Sequence, residues 1–334
     1  MRTAFRLESV GDIGRDAAGS PPMCICLATG GQRLYCGTAD GQILEYRLVY
    51  GTGELGQATV QASLVAKRKV SRKPVQQLVS LDSAGRIASL SDGQVSLHDD
   101  SLEAKPVSGA KGVSLIAHDV CITAPGRARL AVASKKKVAL YEVRSAGVNV
   151  RGSTKEAVQV KEYDVGEAVL AVCWVDRVLV IATHLGYFFA GLRTEQVVPI
   201  YTQDGGGLEP LLWPLPATKE VLIVVQLGSM GVVIDLNGAP VGSTVNFALP
   251  PQALAQCAPY VLSAARGSIH VYERGAAGAG RVQAVHFHGE AASRPLVADE
   301  PSGAGVALAA GGPLHVLLPV PPREQGKELL RGGG

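Results

Sequence analysis

The residues able to do chemistry are scattered along the chain. His286 and His288, in VQAVHFHGE, stand two apart and would project from one face of a strand as a pair of metal ligands. No third ligand follows at a recognisable spacing, and a firmly held ion needs three or four, so an exposed pair on an outer strand is expected. GTGELG, residues 51–56, matches the glycine pattern that lets a backbone approach a dinucleotide pyrophosphate. That chemistry also needs a helix N-terminus aimed at the phosphates. The following QATVQASLVAKRK alternates like a strand, so the glycines read as a loop between strands. DGGGLEP, 204–210, lacks the Lys and Ser or Thr of a phosphate loop. The chain has no G-x-S-x-G elbow, no H-E-x-x-H and no evident Cys–His pair, so no catalytic, cofactor-binding or metal residue is assigned and no cofactor is expected.

Six cysteines, at 24, 26, 36, 121, 173 and 257, show no C-x-x-C spacing. Cys24 and Cys26 alternate along PMCICLATG and should face the same way, as small buried apolar residues in a reducing compartment. Two cationic clusters are denser than their surroundings. Lys67, Arg68, Lys69, Arg72 and Lys73 lie in KRKVSRKP, and Lys135, Lys136 and Lys137 interrupt RLAVASKKKVALYEV. Solvated edges and turns account for both at the simplest level. An anion, a membrane surface or a protein partner is the functional alternative.

The elements that must position these residues form a repeat. A strand, a polar or glycine-containing turn and a second strand recur seven times: RLYCGTADGQILEYRL, RIASLSDGQVSLHDD, RLAVASKKKVALYEV, RVLVIATHLGYFFAGL, EVLIVVQLGSMGVVIDL, YVLSAARGSIHVYERG and GVALAAGGPLHVLLPV. Markers of the second strands, Ile43, Val95, Val138, Tyr187, Val232, Ile269 and Leu314, recur about every 45 residues, the period of a propeller blade. An apolar strand such as MCICLA or VLAVCWV precedes each hairpin, and a more polar one such as VQVKEYD follows several. Four strands of falling hydrophobicity describe a blade with a buried inner edge and a solvated outer one. The seventh hairpin ends at Val320 without an outer strand, and TAFRLESV precedes the first blade. The sequence therefore predicts an all-β, seven-bladed propeller over residues 1–320, closed by its N-terminal strand. In this arrangement the three lysines fall in the turn of the third hairpin. The tail, 321–334, reads as the start of a helix cut short by glycines.

Composition agrees with one large β unit. The 334 residues are 47% hydrophobic and 18% charged, enough to bury a sizeable core. A net charge of +3 and 5% aromatic residues speak against nucleic acid as the partner. The N-terminus carries charge and alternation where a secretory signal would be apolar, and EVLIVVQLGSMGVVIDL is broken by Gln226, Gly228, Ser229 and Gly231 into two strand-length pieces, so a cytoplasmic protein without a membrane span is expected.

No Trp-Asp dipeptide ends a hairpin, and the pattern instead resembles the citron-homology (CNH) family of divergent propellers. LYCGTADGQILEYRL is similar to that family's opening blade and LAVASKKKVALYEV to its lysine-rich hairpin. GGLEPLLWPLP, GVVIDLNGAP, APYVLSAARGSIHVY and LHVLLPVP follow in the family's order, so that the resemblance covers residues 3 to about 322. Within the family, KPVQQLVSLDSAGRIASLSDGQVSLHD, LEAKPVSGAKGVSLIAHD and LLPVPPREQGKELL are most similar to the N-terminal propellers of the TGF-beta-receptor-associated subunits of the CORVET and HOPS vesicle-tethering complexes. The resemblance implies a non-enzymatic module of endosomal and vacuolar traffic. It implies a Rab-type small GTPase and other tethering-complex subunits as partners, and a cytoplasmic location peripheral to endosomal or vacuolar membranes. Those tethers continue into a helical solenoid, toward which the tail would lead. The other readings are a CNH regulatory domain binding small GTPases in kinase or exchange-factor signalling, and a propeller enzyme whose site converges on the central channel.

Overall fold

The computed structural model describes residues 4–17, 19–53, 57–121, 124–145, 156–193, 196–202, 210–242, 244–265, 267–275, 278–287, 296–299, 306–309 and 313–320. Among them, 28 strands form seven four-stranded blades. In each of the first six blades the chain runs as an antiparallel meander from the inner strand outward. The first blade shows the order with Pro22–Ala28, Arg33–Thr38, Gln42–Thr52 and Ala58–Lys69. The inner strands contact their counterparts in neighbouring blades and so surround the channel.

All seven sequence markers lie in the third strand of their blades, and six are fully buried. Val232 is the exception. Its blade has an outer strand of only two residues, Val245–Asn246, leaving the third strand, Met230–Ile234, less covered. Val245 pairs in parallel with Ala279 of the sixth blade's outer strand, which joins the fifth and sixth blades into one continuous sheet.

The core lies between blades rather than at the centre of the ring. Seven apolar clusters each join facing sides of two adjacent blades. Leu81, Leu90 and Val95 of the second blade, for example, meet Ile116, Leu130 and Tyr141 of the third. The second strand of each blade is therefore buried on both faces, which is why VLVIAT and EVLIVV read as continuous runs while the outer ATVQASLVAKRK is mostly exposed. Cys24 and Cys26 both pack into the cluster between the first two blades, as their alternation predicts.

Closure follows the sequence reading. Phe5–Asp12 pairs antiparallel with Pro313–Pro319 and supplies the outer strand of the seventh blade. The sequence reading missed the element after it, a single helical turn at Ile13–Asp16 capped by Asp12, whose Oδ1 accepts from the Arg15 amide at 3.3 Å. The turn drops Ile13 and Ala17 into the cluster between the seventh and first blades.

Candidate interaction surface

The meander fixes which loops share a face. Turns between second and third strands open on the same side as the connectors to the next blade, and the two kinds of loop bond each other. The amides of Val70 and Ser71 donate to the Gly41 carbonyl, Val113 to Gly93, Val165 to Lys136 and Val169 to Lys135, at 2.8–3.1 Å. This connector face carries both cationic clusters. They are not adjacent, because the Asp92–Gly93 turn of the second blade stands between them in ring order.

Half of the eight cations have partners. Lys67 Nζ donates to the Asp16 carbonyl at 2.9 Å, and Arg68 reaches the Ser101 carbonyl at 2.7 Å and Glu103 at 3.6 Å. Lys69 pairs with Asp40 at 3.3 Å. Against the upward pull of burial, hydrogen bonds from Thr38, Gln42, Ser20 and Lys69 hold the Asp40 carboxyl well below its usual range. Only Lys135 and Lys136 form the turn proper. Lys137 begins the next strand, pairs with Glu162 at 2.6 Å, and has its ammonium pKa raised by that hydrogen bond. Arg72, Lys73, Lys135 and Lys136 are exposed and have no side-chain partner among the described residues.

Lys135 takes a φ of +52°, in the left-handed region, so the tight turn holds an L-residue in a sparsely used conformation. The sharper constraint is one blade further on. Gly186 closes the His184–Leu185 turn at φ +135°, and a Cβ there would run into the Tyr201 carbonyl. The Leu185 amide donates to Thr183 Oγ1 at 3.0 Å. The turn therefore holds Leu185 outward, 53% exposed.

On the opposite face, Asp119 is buried beneath Arg129, whose guanidinium is 3.4 Å from the carboxylate and lies over the Trp174 ring at 5.9 Å. Burial pushes the Asp119 carboxyl up to about 6, against the pull of the Cys121 amide and Arg129. The sequence reading missed this group, which joins residues of the third and fourth blades and has no local spacing to betray it.

The chemical motifs resolve simply. Gly51 and Thr52 end a strand, Gly53 follows, and the next described element is the strand Ala58–Lys69, which pairs with the strand before it, rather than a helix. Residues 54–56, 204–209 and His288 lie outside the described residues. His286 ends an outer strand opposite Ser268. The cysteines are free, and burial lifts the Cys24 thiol to about 12 and those of Cys26, Cys36 and Cys173 well above their usual value. Of the inner strands' residues, only His118 and Asp299 carry an imidazole or carboxylate, and no group of three or more His, Cys, Asp or Glu among the described residues could hold a metal. No helix among them is long and apolar enough to cross a membrane.

No family model matches the sequence. A curated relative, vacuolar sorting protein 3 of Arabidopsis thaliana, is 26% identical over an alignment 346 positions long that covers 88% of this chain. The chain spans 35% of that relative's length. Among solved structures, the AfRom2 CNH domain superposes with a TM-score of 0.62 at 13% identity, over 96% of this chain and 99% of that one. The Pan2 WD40 domain of Neurospora crassa gives 0.67 at 14% identity, over 96% and 98%. At these identities the structural likenesses establish the fold alone. The chain thus folds as a seven-bladed propeller similar to a CNH domain, and its sequence is similar to that of a vacuolar sorting protein, in keeping with the resemblance read from its hairpins.

Proposed function

We propose that this propeller is a non-enzymatic interaction module of endosomal and vacuolar membrane traffic, contacting a Rab-type small GTPase and the subunits of a CORVET- or HOPS-like tethering complex. Residues 1–320 are the propeller in this reading, and 321–334 a tail outside it. The observation that carries it is the similarity to a vacuolar sorting protein, which runs through 88% of the chain instead of being confined to one blade. The structure is compatible with such a role. Its cores are sealed between blades, and Arg72, Lys73, Lys135 and Lys136 sit on a connector and a turn, where a partner can reach them without disturbing the ring. A second reading, a CNH regulatory domain that binds a signalling GTPase, is compatible with the same fold.

The test is a solution pull-down of purified Rab-type and Rho-type GTPases, each loaded with GDP or a non-hydrolysable GTP analogue, alongside affinity purification from cells. Nucleotide-dependent capture of a Rab-type protein with co-purifying tether subunits is the expected result. Selective capture of a Rho-type protein would favour the second reading. Capture of no GTPase and no tether subunit would overturn the proposal.

A further inference from the structure

We propose that the connector face is a bilayer-facing surface on which Leu185 and Leu249 enter the headgroup region of an anionic membrane while Arg72, Lys73, Lys135 and Lys136 meet its lipid phosphates. This deepens the trafficking reading above and rests on it only for biological context, because lipid contact can be measured without any GTPase.

Leu185 stands at the tip of the fourth blade's hairpin turn. A leucine held outward at a turn tip is an unusual use of an apolar side chain, and here the backbone enforces it. Gly186 admits no Cβ, and Thr183 fixes the Leu185 amide. The connector Val165–Leu170 ties this turn to the lysines. Its Val165 and Val169 amides bond the carbonyls of Lys136 and Lys135, and its Leu170 amide bonds the Ala182 carbonyl at the root of the Leu185 turn. The two turns are therefore braced together on one side of the ring. A second exposed leucine, Leu249, lies 44% exposed in the connector after the fifth blade, flanked by exposed Ala248 and Pro250. That connector is anchored by the Phe247 amide on the Ser229 carbonyl and the Ala248 amide on the Tyr272 hydroxyl.

Charge decides what covers these tips. Near the triple-lysine turn, Glu162, Asp164 and Glu167 offset Lys135, Lys136 and Lys137, so the lysines alone supply no net local field. The excess lies at the other cluster, where the sequence from Gln57 to Pro74 contains no Asp or Glu, and Arg72 and Lys73 sit in the connector itself. Asp92 is the exposed acid between the two clusters. A folded partner would need a contiguous apolar patch, whereas these leucines are single tips on separate turns facing one way. A flat, compliant, anionic surface meets all of them at once. The weak cationic term and the apolar tips then act together on one rigid body.

The experiment is flotation of the purified chain with vesicles of phosphatidylcholine, with and without about one third phosphatidylserine, at low and physiological salt. A half-exposed leucine still has enough apolar area to bury that Leu185→Ser should weaken partition about fivefold, and Leu185→Ser with Leu249→Ser about 25-fold. Arg72→Glu with Lys73→Glu should cost at least about tenfold at low salt and less at physiological salt. Val160→Ser is the control, since Val160 is 55% exposed on an outer strand away from this face, and should leave flotation unchanged. In Leu185→Trp, the introduced indole should shift to the blue on vesicle addition and be quenched by brominated lipid. The proposal fails if the parent does not float on anionic vesicles, if both leucine variants float as well as the parent, or if brominated lipid leaves the introduced indole unquenched. Loss of GTPase capture in the leucine variants without any flotation defect would also overturn it, by showing that a protein partner covers this face. Failure of flotation with intact GTPase capture in solution sinks this inference and leaves the trafficking function standing.

Discussion

Closure of the ring by the N-terminal strand can be tested through one side chain. Phe5 is 1% exposed and lies among Ala255, Leu262, Ile269, Leu308 and Leu317, with its ring edge-on to Tyr260 at 5.3 Å. Its backbone is clasped by Gln283 of the sixth blade. The Gln283 Oε1 accepts from the amides of Ala4 and Phe5 at 2.8 Å, and Nε2 donates to the Phe5 carbonyl at 2.7 Å. Truncating a buried Phe to Ala costs about 3–5 kcal/mol. Gln283→Leu leaves two amides and a carbonyl short of a partner, for about 2 kcal/mol. The two losses should not add, because Gln283 holds the segment that seats Phe5. The double variant should fall short of the sum by about 1 kcal/mol. Urea unfolding followed through Trp174 and Trp213, with far-ultraviolet dichroism as the second probe, gives these differences. Hydrogen exchange should show faster opening of Leu314–Leu318 in Phe5→Ala, with the third and fourth blades little changed. If Phe5→Ala costs less than about 1 kcal/mol with an unchanged denaturant slope, the strand is an accessory to the seventh blade and not its closure.

Two further outcomes follow from local chemistry. Burial lowers the His118 pKa to about 4, so acidification should remove stability between about pH 6.5 and 4; burial raises Asp119 to about 6, so its contribution runs the other way, with stability lost as pH rises from about 3.8 to 6. Each effect reaches about 3 kcal/mol, so the parent should be nearly flat between pH 4 and 6 and Asp119→Asn should fall steeply there, as read from urea midpoints; equal slopes would refute the assignment. Gly186→Ala should cost about 3 kcal/mol or more, since its Cβ meets the Tyr201 carbonyl, whereas Gly85→Ala, at φ +61° with open space around it, should cost about 1 kcal/mol; similar thermal shifts for the two would show that the turn is not locked.

How much of this was legible in the sequence depends on the range of the interaction. The blades were legible because the second strand of each is buried on both faces, so the apolar runs and polar turns stand out at a regular interval. Closure was legible because a hairpin without an outer strand and a strand without a hairpin lie at opposite ends of the chain. The reduced fifth blade was not, since Val245–Asn246 is too short for a periodic signal and borrows its neighbour from the sixth blade. The Ile13–Asp16 turn is below the length at which helical periodicity can be read. The lysine cluster was seen as a unit although Lys137 belongs to a strand and to Glu162, a partner 25 positions away in sequence. Leu185 was hidden for a different reason. In RVLVIATHLGYFFAGL it looks like one more core residue, and only the conformation of Gly186 shows that it faces solvent.

That difference between strands and turns also explains where specificity can reside in a fold of this kind. The seven interblade clusters tie the second strand of every blade to both neighbouring blades, so a change of side-chain volume there is felt across an interface. A turn tip carries no such obligation. Replacing Leu185 or Lys135 alters what the face presents while leaving the Val165–Leu170 brace intact, because that brace is made of backbone amides and carbonyls. The ring then sets the spacing between tips that individually bind weakly. A contact too weak to hold the protein alone gains from the others because none needs to be brought to the surface separately. The cations are limited in the same way. With Lys67, Arg68, Lys69 and Lys137 committed to partners within the chain, Arg72, Lys73, Lys135 and Lys136 must act with the leucines if the connector face is to hold a membrane at physiological salt.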